Sequence, residues 1–147
     1  MKKFLLIIIG LLIIGTLGFF GYNYYKEYTD NNLYKLTLDS ERNQADWRYK
    51  NVMSERTQLY VRDGASFHVN MGTFFDKATA AAEITRMIQQ QYNPAQINYH
   101  GKYVYYDQQT GNFFYQSDNK IISIISSSPK EVVDTFIFWL IKRIQPI

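Results

Sequence analysis

Histidine, cysteine, serine and the carboxylates are the side chains that catalyse reactions or hold metals, and this chain sets few of them in recognisable patterns. Its two histidines, His68 and His100, have no H-x-x-x-H or H-x-x-E partner. Neither therefore fits the spacing by which a helix presents two ligands to zinc. His68 stands between Ser66 and Asn70 in an alternating run, and His100-Gly101 reads as a bend. The chain has no cysteine, which removes disulfides, thiolate nucleophiles and cysteine zinc sites together. Ser126, Ser127 and Ser128 cluster, but no G-x-S-x-G elbow or phosphate-cradling glycine loop accompanies them. Asp63 and Asp76 are accounted for by turn and helix-cap chemistry. The residues predict no catalytic group, no metal site and no cofactor, and they point away from an enzyme.

Aromatic side chains are where this chain is unusual: 13 Tyr, 10 Phe and 2 Trp make up 17% of it. Tyr92, Tyr99, Tyr103, Tyr105, Tyr106, Phe113, Phe114 and Tyr115 crowd one stretch. In a strand, alternation sends Tyr103 and Tyr105 to one face and Val104 and Tyr106 to the other. Such residues either pair across strands, at about 0.2–1 kcal/mol per pair, or form a platform for a glycan or an apolar surface. Tyr103 and Tyr105 are the binding candidates.

A second aromatic group lies near the end, in Thr135-Phe136-Ile137-Phe138-Trp139-Leu140-Ile141. Val132 to Ile141 is at most ten residues, is interrupted by Asp134 and is followed by Lys142 and Arg143. It is too short to cross a bilayer. Helical spacing gathers Val132, Val133, Phe136, Ile137, Leu140 and Ile144 into a core face. Phe138 falls instead among Glu131, Asp134 and Lys142, so Phe138, with Trp139 at the edge, is expected to touch a partner or a membrane surface.

The elements that position these residues begin with Phe4 to Gly21, a run of 18 residues without a charge. At about 1.5 Å per residue it approaches the ~30 Å hydrocarbon layer, and Tyr22 to Tyr25 complete it. A secretory signal peptide begins in the same way, but the long run and the lack of an A-x-A-like site favour a retained anchor. Tyr22, Tyr24 and Tyr25 suit the membrane interface, and Lys2 and Lys3 place the N-terminus in the cytoplasm and the rest outside it. The net charge is +3; without Lys2 and Lys3, 14 basic residues face 13 acidic ones, a net +1. A near-neutral domain of this kind argues against nucleic-acid binding.

Three segments are expected: a transmembrane signal anchor over 1–25, a polar spacer with a short helix (40–53) over 26–56, and an extracytoplasmic α+β domain over 57–147. Leu36 and Leu38 also allow a brief strand. Alternation around Asp63-Gly64 predicts a hairpin, with Phe67, Val69 and Met71 inward and Ser66, His68 and Asn70 outward. Asp76 caps a helix to about residue 91, buried along Ala80, Ala81, Ile84, Met87 and Ile88, with Glu83 outward. Strands follow over 97–107, 112–117 and 120–126, the last apolar on both faces and therefore central. Ser128-Pro129-Lys130-Glu131 reads as a capping box. The fold class is α+β, an antiparallel sheet in ββαβββα order with packed helices behind a single transmembrane helix. The expected function is a membrane-anchored interaction module, an accessory subunit of an envelope complex with the lipid bilayer and a protein as partners. The alternative is a domain binding glycan or a small apolar molecule through its tyrosines.

Overall fold

The computed structural model describes residues 2–90, 94–99 and 101–144; the expectations for Tyr92, Asn93 and His100 lie outside them. The elements are α1 (Lys2–Asn31), β1 (Lys35–Glu41), β2 (Ser54–Arg62), β3 (Ala65–Thr73), α2 (Lys77–Gln90), β4 (Ala95–Tyr99), β5 (Lys102–Tyr106), β6 (Phe113–Ser117), β7 (Lys120–Ile125) and α3 (Lys130–Ile144). They form two compact units, Met1–Lys35 and Leu36–Ile147.

The first unit is α1, 30 residues long. It is the one helix among the described residues long and apolar enough to cross a membrane, and none of its apolar window is buried. The Thr16 hydroxyl donates to the carbonyls of Leu12 and Ile13, so the only polar side chain between Phe4 and Gly21 is satisfied within the helix.

The second unit is α+β, built on a seven-stranded antiparallel sheet ordered β1-β2-β3-β7-β6-β5-β4. Two meanders, β1 to β3 and β4 to β7, meet along an antiparallel seam where Val69 pairs with Ile124 and Met71 with Ile122. Beyond β3, the chain runs through α2 to the far edge at β4 and returns strand by strand to the centre. The apolar sequence Ile121-Ile122-Ser123-Ile124-Ile125 thus fills the middle position expected of it, with Ile121, Ile122 and Ile124 fully buried.

Each face of the sheet has its own cover. On one, α2 and the 42–53 segment enclose Tyr49, Val52, Phe74, Ala80, Ile84, Phe114 and Ile121. On the other lies α3, whose Phe136 stacks on Phe67 at 4.2 Å between centroids and approaches Tyr60 at 5.5 Å. Removing each such side chain from water contributes about 1.5–3 kcal/mol, so this double cover accounts for a stable domain of modest length.

Local signals explain most of the joints. Asp63 and Gly64 take φ 50° and 80°, the left-handed pair a type I′ turn requires. The Asp76 carboxylate accepts from the Thr79 amide at 2.7 Å and starts α2 as expected.

Several expectations are corrected. The ββαβββα order becomes three strands, a helix, four strands and a helix. The 97–107 stretch is two strands, with Tyr99 opposite Lys102 across a two-residue connection that includes Gly101 at φ 81°. The helix expected over 40–53 is strand β1 as far as Glu41, then a short 3₁₀ turn at Gln44–Asp46 and irregular chain. Tyr49 and Val52 are buried there all the same; the apolar spacing marked burial, and its helical period was coincidental. The first turn of α3 closes on the Pro129 carbonyl, which accepts from Val132 and Val133, one residue later than the capping box implies. Asn70 is buried rather than solvent-facing, because the 42–53 segment covers the second face of β3.

Candidate interaction site

The 42–53 segment has little regular structure, so its backbone amides need acceptors from elsewhere. Two buried carboxylates supply them. Glu55 accepts from the amides of Arg48 at 2.5 Å and Tyr49 at 2.8 Å, and its second oxygen faces Arg42 Nε at 3.8 Å. Glu83 accepts from the Lys50 amide at 3.0 Å and from the Arg86 guanidinium. Burial pushes the Glu83 carboxyl up, but the Arg86 and Lys50 hydrogen bonds outweigh it and hold the group below its ordinary value. The Tyr49 ring packs against Gly72, where a Cβ would come 2.5 Å from its nearest ring carbon. The Tyr49 hydroxyl bonds the Asn70 carbonyl at 3.2 Å and lies 2.5 Å from the Ser123 hydroxyl, and burial raises its pKa. These groups are spent on holding a loop against a sheet. Glu83 was expected outward, yet its place three residues after Ala80 and one before Ile84 sets it on the buried stripe. That spacing was the available signal; Glu55 had none.

The sequence-predicted contact residues fall into separate places. On α3, Phe138 is 38% exposed and Lys142 Nζ lies 4.6 Å from its ring centroid. Trp139 is buried at 8% exposure, 5.6 Å from Tyr60 and 5.8 Å from Phe136, with Arg143 over its ring. It belongs to the core beneath α3, as does Ile141, whereas Val132 is exposed. The buried face is therefore rotated slightly from the one expected.

Across the sheet, Tyr103 is 57% exposed, while Tyr105 is half-buried and stacks on Phe114 at 5.4 Å. With Ile84, Lys102 and Gln116 they line a shallow groove of about 240 Å³. Tyr106 pairs with Phe113 at 4.6 Å, so much of the aromatic surplus is cross-strand packing. Tyr22, Tyr24 and Tyr25 are exposed on α1. His68 is exposed on β3, and among the described residues no three His, Cys, Asp or Glu side chains are grouped to hold a metal.

A further exposed element is β1, which occupies one edge of the sheet. All seven of its residues are exposed, including Leu36 at 43% and Leu38 at 46%. The Asp39 carboxylate accepts from Arg56 and from Gln58, and the Arg56 guanidinium beside it holds its pKa below the usual range. Phe75, between β3 and α2, is 79% exposed.

Comparison with protein-family models, with curated proteins and with solved structures finds no match to this chain.

Proposed function

We infer that this chain is a single-pass membrane protein whose C-terminal unit is an extracytoplasmic interaction module, an accessory subunit of a membrane or envelope complex. The observation that carries this reading is the contrast within the second unit. Its core is filled on both faces of the sheet, yet Phe75, Tyr103 and Phe138 stay outside, where large aromatics serve contact better than solubility. The length and apolarity of α1 support the anchor, and Lys2 and Lys3 support a cytoplasmic N-terminus. Purification of the full-length protein in mild detergent is expected to bring down a stoichiometric polypeptide partner, and protease added outside the cell is expected to digest the C-terminal unit. A chain that is monomeric and alone in detergent would sink the reading.

The second reading, a ligand-binding envelope domain, draws on the Tyr103–Tyr105 groove. Tyr103→Ala is expected to abolish retention of a glycan or small apolar ligand with the fold intact. Tyr105→Ala is expected to lower thermal stability as well, because it also removes the stack on Phe114.

A further inference from the structure

The edge strand β1 carries more information than its exposure. Just past its end the Arg42 amide donates to the Glu55 carbonyl of β2 at 2.9 Å. In an antiparallel ladder a residue turns both of its backbone groups toward the same neighbour, and successive residues alternate. Ser40, Leu38 and Leu36 therefore bond inward to β2. Lys35, Thr37, Asp39 and Glu41 turn their amides and carbonyls to the open edge.

Those outward residues are self-complementary. Laid antiparallel against its own copy about Leu38, β1 sets Lys35 opposite Glu41 and Thr37 opposite Asp39, each twice by symmetry. All four are outward-bonding positions, so this register matches the backbone groups and the charges together while Asp39 keeps its pairing with Arg56. On the other face Leu38 meets Leu38 of the second copy, with Leu36 diagonal to it, and four half-exposed leucines become one covered strip. The opposite edge offers nothing comparable: β4 has five residues and follows Pro94, a common device for blunting an edge. β1 has seven residues, no proline, no glycine and charges of both signs.

We propose that β1 is the dimerisation edge of this protein, pairing antiparallel with β1 of a second copy in the register that sets Lys35 against Glu41 and Leu38 against Leu38. The proposal rests on the interaction-module reading and names its partner as the chain itself. The interface is isologous, as two-fold dimers require, and confinement of both copies to one membrane raises their effective concentration.

Because the chain has no cysteine, a single introduced thiol reports its own neighbour. Leu38 sits at a non-hydrogen-bonded pair, where Cα atoms approach to ~4.5 Å, within disulfide reach. In full-length protein in the membrane, Leu38→Cys is expected to give a disulfide-linked dimer under mild oxidation, and Phe138→Cys only background. In detergent, Lys35→Glu and Glu41→Lys are each expected to weaken the dimer about tenfold, since each sets like charges opposite one another twice. The double swap Lys35→Glu/Glu41→Lys is expected to restore it. The proposal is overturned by cross-linking at Phe138 but not Leu38, by a Leu38→Cys product containing a different polypeptide, by a monomer, or by a double swap that fails to rescue. If another polypeptide still co-purifies, the module reading survives; a lone monomer ends both.

Discussion

At the scale of single residues, the tightest constraint is Gly72 beneath Tyr49. A methyl group there has no room, and the ring above it is held by two hydroxyl contacts and cannot swing aside without breaking them. Gly72→Ala is expected to cost about 1–3 kcal/mol and to loosen the 42–53 segment, seen as a lower urea midpoint and faster amide exchange there. Glu83 gives a pH signature. Its folded pKa is depressed, so its contribution is fully present above the ordinary carboxylate value of about 4.3 and is lost as pH falls through the folded value. Thermal melts of Glu83→Gln are expected to be lower at neutral pH and to converge on the parent in acid; a constant difference at all pH values would refute the assignment. Only the place of Glu83 on the buried stripe was legible in the sequence; its role was not, because a buried carboxylate is defined by the amides that reach it and those come from a segment with no periodic signal.

At the scale of elements, α3 separates two neighbouring aromatics by a single residue step. Phe138→Ser is expected to change stability by less than about 1 kcal/mol, the worth of an exposed cation–π contact. Trp139→Ala is expected to cost about 3–5 kcal/mol, because it empties a site walled by Tyr60 and Phe136. Chemical denaturation of the two variants checks both figures. The sequence separated Phe138 from the core correctly, since Glu131, Asp134 and Lys142 mark its side of the helix. It set Trp139 at the edge because a helical wheel cannot know how wide a sheet the helix covers. Turns were legible at Asp63-Gly64 and around Asp118, where residues adopt positive φ, but not at Asn51, whose φ of 56° breaks the stretch expected to be helical. The hairpin between β4 and β5 was missed because Tyr99 to Tyr106 is apolar enough on either side of Gly101 to read as one bent strand. β1 was visible only as Leu36 and Leu38, and its significance depends on which neighbour its amides face.

At the scale of the whole molecule, composition and the apolar run near the N-terminus were enough to separate a long apolar helix from an α+β unit. Strand order was not recoverable, since local patterns identify hairpins but not which hairpins adjoin. The order has its own consequence. Val69 meets its neighbour Ile124 only after the α2 segment and three strands of the second meander have been made. As the chain emerges during synthesis, the first meander therefore waits with β3 bare until α2 and β4 to β6 have been made and β7 follows them. A stop codon before β7 would not shave an edge from the protein; it would withdraw the plank on which both halves lean. The expected outcome is insoluble or rapidly degraded product, seen as loss of the protease-resistant second unit. The vulnerable point in the biogenesis of this protein thus lies at β7, far along the chain from the strand it completes.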